Sequence, residues 1–211
     1  MDFFTHEQIA NFIYIMLAFL FSVSVHEFCH ALVATLRGDD LPRLDGRVTL
    51  NPLAHFDFFG FLLIFLIGIG MAKPVRINPY AFKYPKLDNV LVSLAGPFAN
   101  ILMAFFTILC FKYNLISFIS YEPLRITLQE LATIFIDINI MLAVFNLIPI
   151  PGFDGFSVIE TLAPASWEQP LFFIKQYSLV WVILLFWLPG VLPFFYHVIG
   201  LVKMLLLSVV F

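Results

Sequence analysis

The chain is a series of long apolar runs separated by short polar segments. The runs cover approximately these residues: 9–36, 56–72, 88–112, 127–148, 171–188 and 194–211. Five of them approach the roughly 20 residues that an α-helix needs to cross the hydrocarbon core of a bilayer. The pattern therefore predicts an all-α polytopic membrane protein with about five transmembrane helices.

The run at 56–72 differs from the other five. It has 17 residues and contains three of the ten glycines of the chain. Short stretches of strand-like composition lie on both sides of it, at 47–50 and 74–77. We interpret the run as a re-entrant segment that enters the membrane and returns, flanked by short β-strands. We expect it to line a cavity, because irregular backbone at that depth needs polar partners.

Basic residues collect between the first apolar run and the third. This part of the chain contains seven of the eleven Lys and Arg residues: Arg37, Arg43, Arg47, Lys73, Arg76, Lys83 and Lys86. By the positive-inside rule, residues 37–88 are cytoplasmic and the N-terminus lies outside, provided that 56–72 does not cross. We therefore expect a multi-pass protein of the cell (inner) membrane.

The composition supports a membrane location and excludes other classes. Apolar residues make up 62% of the chain and charged residues 12%, against about 45–50% and 25% in soluble domains. The net charge is −3 and no basic block is present, so we expect no nucleic-acid partner. Residues 1–8 contain no Lys or Arg, and we therefore expect the first run to be a retained span and not a cleaved signal peptide.

The first apolar run contains the sequence His26-Glu27-Phe28-Cys29-His30. Histidines four residues apart lie on one face of a helix, and HExxH is the spacing with which zinc peptidases bind metal and place a glutamate beside it. A charged residue in the middle of a spanning helix costs about 2.5–3.5 kcal/mol, and such residues usually face a partner, a cavity or a metal. The alternative is a buried polar cluster that joins helices without chemistry.

A catalytic zinc site needs a third protein ligand and an open position for water. The candidate is Asp154, in a segment where two prolines end a helix and a glycine follows the carboxylate. An ordinary Asp-Gly turn is the alternative interpretation, and Asp137 and Glu160 are rival ligands. Asp154 emerges on the same side of the membrane as His30 only if 56–72 does not cross it. The distribution of basic residues and the pairing of His30 with Asp154 therefore favour the same topology.

Three ordered motifs resemble the site-2 protease family of intramembrane zinc metallopeptidases. They are HExxH at 26–30, Gly-Pro-x-x-Asn at 96–100 and Asn-x-x-Pro-x-Pro-x-x-Asp-Gly at 146–155. The stretches at 46–53 and 72–75 resemble the small branch of that family that lacks a PDZ domain.

The resemblance extends over about residues 20–160 and carries expectations about the site. It implies that one Zn²⁺ per chain is bound by three ligands: His26, His30 and Asp154. It also implies that Glu27 is the general base, and that Asn146 and Asn100 bind substrate or shape the site.

The sequence thus predicts an intramembrane zinc endopeptidase that hydrolyses peptide bonds in or near transmembrane segments, in regulated intramembrane proteolysis or in clearance of remnants. Its expected partners are a single-span membrane-protein substrate and the lipid bilayer. We expect one membrane-embedded protease domain over 1–211, with a catalytic core at about 9–160 and a C-terminal helical hairpin at about 171–211. The alternatives are a non-catalytic membrane protein that binds zinc or substrate, and a transporter. The two halves of the chain show no repeat that would favour transport.

Overall fold

The computed structural model describes residues 5–57 and 73–211, and within these ranges the regular structure is helical. The α-helices are α1 (His6–Leu36), α2 (Leu41–Leu44), α3 (Pro52–His55), α4 (Pro85–Lys112), α5 (Glu122–Asn146), α6 (Asp154–Leu162), α7 (Glu168–Gln176), α8 (Ser178–Trp187) and α9 (Val191–Val210). Short 3₁₀ helices cover Pro79–Ala81 and Ala165–Trp167.

Four of these helices, α1, α4, α5 and α9, are long and apolar enough to cross a membrane. This confirms an all-α polytopic membrane protein. The predicted span at 171–188 is instead divided between α7 and α8, because the chain leaves helical geometry at Tyr177, where φ is −104° and ψ is 27°. The predicted re-entrant segment at 56–72 lies, beyond its first two residues, outside the described residues.

The ends of the long helices follow from local sequence. α1 begins with a capping box, in which the Gln8 N–H donates to Thr5 Oγ1 and the Thr5 N–H donates to Gln8 Oε1. α4 and α5 each have a proline in the first two positions, where the missing N–H is not needed. After α1 the chain turns at Gly38, whose φ of 110° suits glycine.

The central helix of the bundle is α4. It packs against α1, α5 and α6, and α9 packs against α5 and α4. Small buried residues at these contacts, Ala31 and Ala34 on α1 and Ala99 and Ala104 on α4, let the helix backbones approach closely. Close approach matters because association in lipid depends on packing and polar contacts between helices.

An ion pair between a partly exposed arginine and a buried aspartate joins the end of α1 to the start of α4. The Arg37 Nε–H donates to Asp88 Oδ1 at 2.6 Å, and the second oxygen of the fully buried Asp88 accepts the Tyr84 N–H at 2.9 Å. Asp39, also buried, accepts the backbone N–H groups of Leu41 and Asn78. These contacts hold the segment that follows α1 against the base of α4.

The short β-strands predicted at 47–50 and 74–77 are absent, since neither described stretch is a strand. Side chains satisfy the backbone there in place of a ladder. The buried guanidinium of Arg47 donates to the carbonyl oxygens of Ala54 and Lys73, and the Lys73 N–H donates to the His55 carbonyl oxygen at 3.0 Å. Arg47 therefore joins the two parts of the chain that border the undescribed residues.

Replacing Arg47 with methionine is expected to separate these two parts. The variant keeps the aliphatic stem but loses hydrogen bonds from a charged donor, a loss of about 1.5–3 kcal/mol. We expect a lower melting temperature in detergent and faster hydrogen exchange of the Lys73 amide. Arg43→Met is the control, because Arg43 is exposed and its ion pair with the exposed Asp40 is long, at 3.9 Å, and therefore weak. Equal exchange of the Lys73 amide in both variants would contradict this role of Arg47.

Candidate metal centre

Two histidines of α1 and an aspartate of α6 point at a common centre. The Nε2 atoms of His26 and His30 are 3.0 Å apart, and Asp154 Oδ2 lies 3.2 Å from the first and 3.3 Å from the second. Both histidines are buried, and the three residues form a group that could hold a metal ion. The structure thus brings together three residues that the sequence analysis proposed as ligands.

The spacing of these three atoms fits a zinc ion. Ligands at the corners of a tetrahedron, each about 2.0 Å from zinc, lie about 3.3 Å from one another. The measured separations of 3.0, 3.2 and 3.3 Å are close to that value. The donor set of two imidazoles and one carboxylate is also one that catalytic zinc sites use.

The proton positions on the two imidazoles also favour a cation. His26 Nδ1 lies 2.6 Å from Asn100 Oδ1, and His30 Nδ1 lies 2.6 Å from the Val92 carbonyl oxygen. Both partners are acceptors, so each Nδ1 carries a hydrogen, and in the neutral imidazole each Nε2 then presents a lone pair. Asp154 Oδ2 is buried and has no hydrogen-bond partner among the described residues. Three electron-rich atoms therefore face one another, an arrangement that a bound cation stabilises.

Gly96 on α4 makes room for the imidazoles. A Cβ atom at this position would lie 2.4 Å from His30 Nε2, 2.5 Å from His26 Cε1 and 2.6 Å from His26 Nε2. Val92, Gly96 and Asn100 follow one another at intervals of four residues, so they lie on one face of α4. That face supplies a carbonyl oxygen for one histidine, an amide for the other and a gap between them.

The turn between α5 and α6 brings Asp154 to the histidines. α5 ends at Asn146, and two prolines and a glycine with φ of 105° reverse the chain before α6 begins. Gly155 then packs against the end of α5, where a Cβ would lie 2.3 Å from the Leu147 carbonyl oxygen. A hydrogen bond also holds α6 to α4, in which the Asn89 amide donates to Thr161 Oγ1.

Glu27 follows His26 on α1 and is half-buried. Its Oε2 accepts the backbone N–H of Val75 at 3.2 Å, and it lies close enough to His30 for its charge to act on that imidazole. The Val75 contact has no signature in the sequence, since it depends on a backbone group in a segment without regular structure.

The other carboxylates considered as ligands lie elsewhere. Asp137 pairs with Lys203 of α9 and Glu160 pairs with Lys175 of α7. Asp154 is therefore the carboxylate that the described structure places against the histidines.

The two asparagines of the predicted site have different surroundings. Asn100 is fully buried, and its Oδ1 lies against His26. Asn146 is half-buried at the end of α5, where its amide donates to the Leu142 carbonyl oxygen at 2.9 Å.

Several known proteins are similar in sequence to the chain. "Putative zinc metalloprotease YwhC" of Bacillus subtilis is 35% identical over 193 residues, which cover 90% of this chain and 87% of that protein. Rip2 of Mycobacterium tuberculosis, with the same designation, is 26% identical over 89% of this chain and 72% of its own length. MJ0611 of Methanocaldococcus jannaschii, again so designated, is 27% identical over 78% of this chain and 90% of its own length.

No protein-family model matches the chain, and no solved structure matches it. The similarity to YwhC nevertheless extends over nearly the full length of both proteins, and the names of all three relatives imply zinc. The chain belongs to the site-2 protease-like family of zinc metalloproteases.

Proposed function

We propose that this metalloprotease is an intramembrane endopeptidase that hydrolyses peptide bonds in or near the transmembrane segments of membrane proteins. The observation that carries the proposal is the convergence of His26, His30 and Asp154 inside a bundle of apolar helices. Two of these residues belong to the first membrane-spanning helix, so the reacting bond must reach membrane depth. A substrate with a single span, cut for regulation or for removal of a remnant, fits such a site.

In this proposal His26, His30 and Asp154 bind one zinc ion per chain. Zinc would supply Lewis-acid activation of water and of the scissile carbonyl group. The two imidazoles stay neutral and fixed in direction, because Asn100 and Val92 accept their Nδ1–H groups.

Glu27 is the proposed general base. Its carboxylate accepts a proton from the attacking water and passes it to the leaving amine. The Val75 N–H holds one oxygen of this carboxylate, which limits the rotamers of the side chain and leaves the other oxygen for the proton. We assign Asn146 to substrate binding, because its amide has a second hydrogen and an oxygen beyond the Leu142 contact.

The contact between Lys73 and His55 supports the re-entrant interpretation of 56–72. The Lys73 N–H lies 3.0 Å from the His55 carbonyl oxygen, so the chain returns to the place that it left. In the proposed topology, residues 55 and 73 therefore lie at the same face of the membrane. We propose that the protein lies in the cell (inner) membrane. Its N-terminus is then outside, and its catalytic site lies toward the cytoplasm.

The catalytic assignment predicts different effects for two isosteric substitutions. Glu27→Gln should lower cleavage of a tagged single-span reporter in liposomes at least about 100-fold while bound zinc is retained, because only proton transfer is lost. Asp154→Asn should lower both zinc content and cleavage, because a ligand charge is lost. Glu7→Gln, on the exposed first turn of the same helix, is the control. Undiminished cleavage by Glu27→Gln would refute the assignment.

The gap at Gly96 predicts that a single methyl group disturbs zinc binding. Gly96→Ala should raise the dissociation constant for zinc at least about tenfold, because the methyl group displaces both imidazoles. Circular dichroism should show retained helix, since alanine favours helix. The control is Gly200→Ala on α9, where a Cβ meets no described atom within 4 Å apart from its own stretch of helix. Equal zinc affinity in both variants would show that the imidazoles do not occupy this position.

The topology predicts which surfaces an impermeant maleimide reaches. Leu53→Cys and Tyr80→Cys, both exposed, should react from the cytoplasmic face, and Phe118→Cys between α4 and α5 should react from the opposite face. The parent carries Cys29→Ala and Cys110→Ala, which remove the two native thiols. Labelling of Leu53→Cys and Tyr80→Cys from opposite faces would mean that 56–72 crosses the membrane.

A further inference from the structure

A chain of buried polar side chains extends from the metal centre into the bundle. His26 Nδ1 lies 2.6 Å from Asn100 Oδ1, the Asn100 amide nitrogen lies 2.8 Å from Asn139 Oδ1, and the Asn139 amide nitrogen lies 2.8 Å from Ser22 Oγ. Asn100, Asn139 and Ser22 are completely buried. These groups belong to α1, α4 and α5, so the chain connects the three central spans.

The orientation of Asn139 is fixed by a backbone group. Its amide nitrogen donates to the Phe135 carbonyl oxygen at 2.8 Å, and a carbonyl oxygen can only accept. Rotating the amide by 180° would place two oxygens against each other at this point. The Asn139 oxygen must therefore face Asn100.

The orientation of Asn100 follows from that of Asn139. Because an acceptor faces it, Asn100 must turn its amide nitrogen toward Asn139 and its oxygen toward His26. His26 must then carry its hydrogen on Nδ1 and its lone pair on Nε2, the atom that faces Asp154. A flipped Asn100 would favour the opposite tautomer, with an N–H directed at the metal position.

The second histidine does not need such help. His30 Nδ1 lies against the Val92 carbonyl oxygen at 2.6 Å, and a backbone carbonyl has one possible role. The partner of His26 is an amide, which has two possible orientations. Only the His26 side of the site therefore requires a further residue to select the correct one.

We propose that Asn139 is a positioning residue, which fixes the orientation of Asn100 and through it the metal-binding tautomer of His26. The inference rests on the proposed zinc site and extends it by a residue that has no contact with metal or substrate. The Asn100 amide nitrogen also lies 3.5 Å from the Ser22 carbonyl oxygen, but the contact with Asn139 at 2.8 Å is the shorter and stronger of the two. Hydrogen bonds among buried groups are strengthened by the low dielectric of their surroundings, so Asn139 has the larger effect on the orientation of Asn100. Ser22 receives the second hydrogen of the Asn139 amide and completes the arrangement.

The test measures zinc affinity by chelator competition on the purified full chain in detergent. Asn139→Leu, which is similar in size and apolar, should raise the zinc dissociation constant about 10–100-fold, as loss of groups that orient ligands does. Cleavage should fall at limiting zinc and recover at saturating zinc. Asn139→Asp should stay within about threefold of the parent, because a buried neutral carboxyl group can donate its hydrogen to the Phe135 carbonyl oxygen while its other oxygen accepts from Asn100. Thr133→Val on α5, whose hydroxyl donates to the Gln129 carbonyl oxygen, is the matched control.

A double-mutant cycle separates this role from a general structural one. In Asn100→Asp both side-chain oxygens of the ionised group accept, so the residue has no wrong orientation. Adding Asn139→Leu to Asn100→Asp should therefore leave zinc affinity within about threefold or raise it, because the change also removes the Asn139 oxygen that would face a carboxylate oxygen. A structural defect would instead lower the affinity by the same factor in both backgrounds.

The outcomes distinguish the inference from the function on which it rests. Equal zinc affinity of the parent and Asn139→Leu, or equal losses in the two backgrounds of the cycle, would overturn the role of Asn139. A parent that binds no zinc at all would instead refute the proposed metal site. Loss of affinity in Asn139→Leu, retention in Asn139→Asp and absence of a loss in the Asn100→Asp background together support the inference.

Discussion

The mutual approach of three electron-rich atoms is the constraint on which the rest of the structure depends. Two imidazole lone pairs and a carboxylate oxygen lie 3.0–3.3 Å apart inside an apolar bundle. Without a cation, this arrangement combines repulsion with the cost of burying a charge. It persists only if every neighbouring element holds its ligand in place, and the contacts of α4, α5 and α6 meet that requirement. Zinc, proposed as the cation, would turn the repulsion into attraction.

The face of α4 explains why a motif in the sequence has its particular spacing. Gly96 provides the gap for the imidazoles and Asn100, one turn later, binds His26. Pro97 between them has no N–H, so the helix lacks one internal hydrogen bond at this level. Gly96 and Asn100, four residues apart on α4, therefore form a surface complementary to His26 and His30, which are four residues apart on α1. The two motifs correspond because two packed helices present matching intervals.

Much of the architecture could be predicted from the sequence, because hydrophobic length determines membrane spans directly. Four predicted spans, at about 9–36, 88–112, 127–148 and 194–211, correspond to the four long apolar helices. The prediction of one spanning helix at 171–188 was wrong, since hydropathy does not reveal the break in the helix at Tyr177. The strands at 47–50 and 74–77 were also wrong, because short β-branched stretches do not reveal that the Arg47 side chain satisfies nearby carbonyl groups.

The candidate site divides in the same way between local and non-local information. His26 and His30 could be paired from their spacing alone, because a helix places them on one face. Asp154 could be preferred as third ligand over Asp137 and Glu160 only with an argument about topology. The structure brings it to the histidines. The role inferred for Asn139 could not be predicted, since it depends on which amide faces which carbonyl across three helices. The sequence shows Asn139 as a polar residue within an apolar run and Ser22 four residues before His26. Neither observation indicates which way an amide group is oriented. Chemistry along one helix is thus visible in sequence, whereas the orientation of hydrogen bonds between helices requires the fold.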